Sequence, residues 1–332
     1  MKKKRVALIY GGKGAEHDVS VKGAKNLMDL IDRDRFIPYP VLIDRRGVWH
    51  GGADRSNSVY PVPTRGRGVL SSSIGNIPID VAFPLLHGEW GEDGTVQGAL
   101  ECAGIPYVGC DVLAGAVCAD KILTKQIAHS LGIPTVRGIF LTVPTPTSLA
   151  RAVAEEEIGY PMFIKPSGLG SSVGCSLVRY PGEFTVAYET AVSLGTRILI
   201  EEYKEGAREL ECSYLNSPTR GEIFTPPGEI FARGVYTYKE KYARGSTATA
   251  SPRAKLPGQI AERAVSISRE LVRAIGIRQI ARIDFFLSDG ELLLNEINTM
   301  PGFTSKSLYP AMIESVGISP TELVTELIEG AL

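Results

Sequence analysis

The sequence is short of the features that would tie it to a membrane, a nucleic acid or a disulfide scaffold. No apolar run in its 332 residues approaches the ~20 residues of a membrane span. Lys and Arg number 36 against 37 Asp and Glu, a net charge of −1, so no basic surface calls for nucleic acid or an anionic lipid face. The five cysteines (Cys102, Cys110, Cys118, Cys175, Cys212) are odd in number and form no C-x-x-C pair. They suit reduced thiols acting as small buried hydrophobes, which sets the expectation of a cytoplasmic protein. The opening Met1-Lys2-Lys3-Lys4-Arg5 resembles the n-region of a signal peptide, but Val6 to Tyr10 ahead of Gly11-Gly12 is too short for an h-region. There are only four histidines, no internal repeat and no low-complexity tract.

What is present is an α/β pattern in two or three packed units, as this length requires. Val6 to Tyr10 reads as a buried strand, and Ala15 to Leu30 as a helix. Ile37 to Ile43 is a strand whose prolines suggest an edge or a bend. Ile79 to Leu86 is a further strand, whereas Arg45 to Asn76 reads as loop and hairpin. The alternation predicts a parallel sheet with helices on both faces, with ligands beyond the carboxyl ends of its strands. Gly11 to Glu16 and His87 to Gly94 both occupy that position. A middle unit follows, with strands at Pro161 to Lys165 and Ile198 to Glu202. Gln259 to Ile275 reads as an amphipathic helix with Ile260, Ala264, Ile267, Leu271 and Ile275 on one face, stopped by Gly276. The last helix is predicted at Pro320 to Ile328.

Charge beside buried strands supplies the candidate chemistry. Asp284, in Arg282-Ile283-Asp284, and Glu296 with Asn298, in Asn295-Glu296-Ile297-Asn298, are hard oxygen donors flanked by apolar runs. Such a set suits Mg²⁺ holding a nucleotide's phosphates, and is costly to bury unless paired or metal-bound. Lys165 leads into Pro166-Ser167-Gly168-Leu169-Gly170-Ser171-Ser172-Val173-Gly174. Its amides can wrap phosphate oxygens; an ordinary flexible turn is the alternative, and the lysine at the strand end favours phosphate. Glu201-Glu202-Tyr203, with Glu209 beyond, reads either as an adenine and ribose site or as surface acids. Glu16 reads either as a helix-dipole partner or as a carboxylate for a substrate ammonium. His87 is either structural or a contact for an anionic substrate. Tyr236 to Tyr242 reads as a lid loop or a solvated turn.

Taken in order, these segments resemble the D-alanine–D-alanine ligases of the ATP-grasp superfamily, across essentially the whole chain. The resemblance rests on Gly11-Gly12-x-x-Ala15-Glu16-x-x-Val19-Ser20, His87 to Gly94, Asp120-Lys121, Lys165 to Gly174, Lys241-Tyr242, Arg282 to Asp284, and Asn295 to Gly302 with Ser307-Leu308. It implies an ATP-grasp fold: an N-terminal substrate-binding α/β domain over 1–120, a central ATP-grasp subdomain over 121–203, and a C-terminal subdomain with metal and substrate sites over 204–332. It also implies ATP-driven joining of two D-alanines for peptidoglycan synthesis, with two Mg²⁺ ions for which Mn²⁺ can substitute. By the same resemblance Lys121, Lys165, Ser172 and Lys241 serve the phosphates, while Glu202, Tyr203 and Glu209 serve adenine and ribose. Asp284, Glu296 and Asn298 hold metal. Arg282 and the Gly302 amide form an oxyanion site. Glu16 takes the first substrate's ammonium, tied in by Ser171 and Tyr242. His87, Ser307 and Leu308 line the substrate subsites. No residue stands out as the base for the second amine. The family's members are commonly dimers, which leaves a homodimer open here.

Lys241-Tyr242 and Leu308 match the dipeptide formers, whereas Lys306 replaces a histidine often found there and Gly221 to Arg233 runs close to the glycopeptide-resistance ligases. A D-alanine–D-serine or D-alanine–D-lactate ligase is therefore the alternative within enzymes. A non-catalytic nucleotide-binding protein on the same scaffold is the alternative outside them.

Overall fold

The computed structural model describes residues 2–63, 68–231 and 249–332. Strand β1 (Lys4–Gly11), helix α1 (His17–Leu30) and strand β2 (Phe36–Ile43) form a βαβ unit. The chain then runs through β3 (Trp49–Gly51), β4 (Asn57–Val62), β5 (Val69–Ser72) and β6 (Gly75–Pro78) before β7 (Val81–Leu85) pairs with the other side of β1. The sheet order is β6-β5-β4-β3-β2-β1-β7. Only β2, β1 and β7 are parallel; β3 to β6 add antiparallel pairs, so the sheet is mixed rather than parallel throughout. The Arg45 to Asn76 stretch, expected as loop and hairpin, supplies four of its strands. Its polar composition hid them, because these outer strands bury little of their surface.

β2 is interior, not an edge. Its prolines are tolerated because β3 pairs only with Val41 to Ile43. The Gly52 N–H donates to Pro40 O at 3.0 Å, so Pro40 turns its missing donor away from β1.

Helices α2 (Thr95–Cys102), α3 (Val112–Ala119) and α4 (Lys121–Ser130) lead into a second, antiparallel sheet. It contains β8 (Gly138–Thr142), β9 (Met162–Pro166), β10 (Ser176–Val178) and β11 (Arg197–Glu202) in the order β10-β9-β11-β8. Helices α5 (Thr147–Glu157) and α6 (Pro181–Leu194) cover one face, closing a core around Ile164, Phe184, Tyr188 and Ile198.

A third sheet carries β12 (Arg208–Ser217), β13 (Gly221–Phe224), β14 (Gly228–Phe231), β15 (Thr249–Ser251), β16 (Ile280–Ser288) and β17 (Glu291–Asn298). Helix α7 (Gly258–Ile275) lays Ala264, Ile267, Leu271 and Ile275 on it, and Gly276 ends the helix at φ 79°. The chain finishes with α8 (Leu308–Glu314) and α9 (Pro320–Glu329), the latter opened by a capping box between Ser319 and Glu322. One core runs from first unit to last: Leu8, Leu27 and Phe83 share it with Phe303, Tyr309, Ile313 and Leu327.

Candidate active site

The three sheets surround a cleft of about 1060 Å³. Antiparallel pairing of β16 and β17 sets Arg282 opposite Asn298 and Asp284 opposite Glu296, with a register shift just after Asp284. Residues two apart on a strand share a face, so all four side chains point the same way. Arg282 grips Asp284 with both arms, Nε to Oδ1 at 2.8 Å and a terminal nitrogen to Oδ2 at 2.6 Å. Its Nε also lies 3.2 Å from Glu211 Oε1. Burial disfavours the guanidinium charge, but Asp284 and Glu211 outweigh it and hold Arg282 firmly protonated. Asn298 Nδ2 donates to Asp284 Oδ2 at 3.1 Å.

Lys121, one of the lysines expected to serve phosphates, is brought by helix α4. Asp120 caps it, accepting N–H bonds from Ile122 and Leu123, and its other contacts, to Ser167 and Arg197, lash the helix to the second sheet. Lys121 follows directly, 3.0 Å from Glu296 Oε2 and donating to Leu169 O at 2.9 Å. Lys165 ends β9 and sits 2.5 Å from Glu201 Oε2 and 3.5 Å from Asn295 Oδ1. Ser171 and Ser172 both take left-handed backbone angles, φ 49° and 58°. Strain of this kind in a non-glycine pair needs support from its surroundings, and the Ser171 hydroxyl finds it by donating to Glu16 across the cleft.

The first unit closes the other wall with Glu16, His87 and Glu92. Buried His87 shares a 3.1 Å hydrogen bond between Nδ1 and Met300 O, while its Nε2 has no hydrogen-bond partner among the described residues. Burial keeps the His87 pKa below the ordinary value, with Glu16 opposing. Glu92 accepts N–H bonds from Gly88 (2.8 Å) and Met300 (3.2 Å). Burial first, then the Glu16 charge, pushes its carboxyl up to about 8. Sequence reasoning gave Glu92 no role. It is one of three acids in His87 to Gly94, and only the folded loop separates it from exposed Glu89.

The cleft thus brings together Glu16, His87, Ser171, Glu209, Arg282, Asp284, Glu296, Asn298, Gly302, Ser307 and Leu308 of the expected residues. Lys121 reaches it through Glu296. Lys165, Ser172, Glu202 and Tyr203 do not line it. Glu202 pairs with Lys204 at 2.9 Å, and Tyr203 stacks on Phe163 with centroids 6.5 Å apart. The Tyr203 N–H donates to Pro161 O at 3.1 Å. Lys241, Tyr242 and the expected lid from Tyr236 to Tyr242 lie outside the described residues.

Among the described residues no group of three His, Cys, Asp or Glu forms a metal site. The candidate donors are two carboxylates and one amide, a hard oxygen set that fits Mg²⁺. Asp284 and Glu296 each carry a cationic side chain already, so this face calls for positive charge. No helix among the described residues is long and apolar enough to cross a membrane.

Two antiparallel sheets around a cleft, with a hard-donor face opposite the Glu16 carboxylate, match the architecture of an ATP-grasp ligase. The chain belongs to the D-alanine–D-alanine ligase family: "D-ala D-ala ligase N-terminus" matches residues 5–110 and "D-ala D-ala ligase C-terminus" matches residues 127–329. It is 39% identical to the D-alanine–D-alanine ligase of Deinococcus radiodurans, covering 99% of each chain. It is 38% identical to D-alanine–D-alanine ligase A of Mesorhizobium japonicum, over 99% of this chain and 98% of that one. Among solved structures, D-alanyl-alanine synthetase A of Vibrio cholerae superposes with a TM-score of 0.89 at 31% identity, covering 100% of this chain and 99% of that one. The VanG D-Ala:D-Ser ligase of Enterococcus faecalis superposes with a TM-score of 0.88 at 30% identity, covering 100% of both.

Proposed function

We propose that this protein joins two D-alanines into D-alanyl-D-alanine for peptidoglycan synthesis, driven by ATP through a D-alanyl phosphate. The observation that carries this reading is the single cleft that holds both half-sites: the Arg282, Asp284, Glu296 and Asn298 face lies opposite Glu16 and His87. A carboxylate cannot be attacked directly by an amine, because oxide is not a viable leaving group. Phosphorylation of the first D-alanine supplies phosphate as the leaving group, and the second D-alanine's amine then attacks. Transfer of the γ-phosphoryl group depends on positioning and charge neutralisation more than on covalent chemistry by the protein.

The roles are those that the family resemblance implies, and the cleft supports them for the residues that line it. Glu16 takes the first ammonium, held in aim by Ser171. Arg282, with the Gly302 amide, faces the oxygen that gains charge in the tetrahedral intermediate, the interaction that lowers such barriers most. Asp284, Glu296 and Asn298 would hold two Mg²⁺ ions, or Mn²⁺ in their place, which neutralise phosphate charge when bound. Lys121 and Lys165 take phosphate oxygens, with Ser172 and Lys241 assisting. Glu202, Tyr203 and Glu209 serve the nucleoside, and Tyr242, outside the described residues, is assigned by the resemblance to help Ser171 hold Glu16. Ser307 and Leu308 line the second D-alanine's subsite, and His87 faces the first. The division into 1–120, 121–203 and 204–332 is supported by the sheets, whose strands span 4–85, 138–202 and 208–298 without crossing between ranges. We also assign the protein to the cytoplasm, as a homodimer.

The test is product analysis by mass spectrometry with ATP and Mg²⁺, offering D-alanine alone and then with D-serine or D-lactate at two pH values. D-Alanyl-D-alanine as sole product supports the reading. D-Alanyl-D-serine or D-alanyl-D-lactate would transfer the protein to the resistance type, the second reading that its likeness to the D-Ala:D-Ser ligase favours.

A further inference from the structure

Glu201 stands apart from every role above. Its side chain is 3% exposed, on the face of β11 that also looks onto Lys165. It holds two lysines at once: Lys125 Nζ at 2.6 Å from Oε1 and Lys165 Nζ at 2.5 Å from Oε2. Gly138, its partner on β8, makes the room, since a Cβ there would lie 2.9 Å from Glu201 Cγ. Lys125 is one helical turn beyond Lys121 on α4, is 7% exposed, and also donates to Leu294 O at 3.1 Å. Lys125, like Lys165, does not line the cleft, and its ammonium is engaged within the protein by Glu201 and Leu294 O.

We propose that Lys125 is a positioning residue that lets Lys165 change partners: it keeps Glu201 neutralised when Lys165 leaves that carboxylate for the phosphates of ATP. The inference rests on the reading that Lys165 is a phosphate ligand. Without Lys125, turning Lys165 to the nucleotide strands a buried carboxylate with no cation, and Lys165 stays on Glu201. With Lys125 in place, Glu201 loses one of two partners and remains paired. Burial depresses the ammonium form of Lys125 and the two lysines hold Glu201 ionised against its own burial, as a closed charge triad requires.

The experiment compares steady-state constants for ATP and D-alanine, together with calorimetric titration of Mg²⁺-ADP, in the full-length protein. Lys125→Met is expected to weaken ADP binding and raise KM for ATP at least tenfold, leaving KM for D-alanine within twofold. The charge-balanced pair Lys125→Met/Glu201→Leu is expected to regain ADP affinity to within threefold of wild type. Glu201→Gln loosens the hold on Lys165 and is expected to bind ADP at least as tightly as wild type. A Lys125→Met protein with wild-type nucleotide constants, a double variant as weak as the single, or a tenfold loss in Glu201→Gln would each overturn the proposal. Wild-type protein that binds ADP and yields no dipeptide would sink the ligase reading instead, and the titrations separate the two failures.

Discussion

Arg282 shows how much one side chain is asked to do. It neutralises Asp284 and Glu211, and under the proposed function it also faces the developing oxyanion. Arg282→Ala is expected to lower kcat by about 10²–10³-fold, the range for loss of one oxyanion donor, with Mg²⁺-ADP affinity retained; turnover within tenfold of wild type would remove the role. Glu92 gives a different readout. Its folded pKa of about 8 lies above the ordinary 4.5, so the folded state binds the extra proton. The stability this contributes is full below pH 4.5 and is lost as pH rises to about 8. Glu92→Gln is expected to flatten that slope, so its urea midpoint should fall less than that of the wild type between pH 5.5 and 8. Parallel midpoints would contradict the shift. The motif acids Glu16, Asp284 and Glu296 were legible from the sequence because each follows an apolar strand or a glycine turn. Glu92, Glu201 and Lys125 were not, because their partners are distant in sequence and only folding reveals their burial.

At the scale of elements, periodicity served well where one face is buried. Helix α7 was predicted almost to the residue because its apolar stripe and its glycine stop agree. Leu271→Ala should destabilise the protein by about 2–5 kcal/mol, as for other fully buried leucines, measured by chemical denaturation. Strands β3, β4 and β6 were harder to read within the expected loop and hairpin because they are short and sparsely buried. β14 offers a sharper test. A Cβ at Gly228 would lie 2.7 Å from Met312 Sδ and 3.1 Å from Leu308 Cδ2. Gly228→Ala should therefore push Leu308 and raise KM for D-alanine severalfold while sparing ADP affinity; unchanged D-alanine constants would separate β14 from the subsite.

Across the whole molecule, opposed charges hold the cleft together. Lys121 rests on Glu296 and Arg282 on Asp284, so under the proposed function a cation takes up these carboxylates while the nucleotide's phosphates take up Lys121. Mg²⁺ with ADP should raise the thermal midpoint by more than the sum of the two added singly. Strict additivity would show that these pairs do not exchange. The shared core has a consequence of another kind. Residues of β1, α1 and β7 share their core with residues far along the chain, among them Phe303, Tyr309, Ile313 and Leu327. During biosynthesis the strands of this sheet are made well before α8 and α9, the helices that complete its core. Until α8 and α9 follow, that part of the core is bare on the nascent chain, which predicts exposure to chaperones and proteases over that interval.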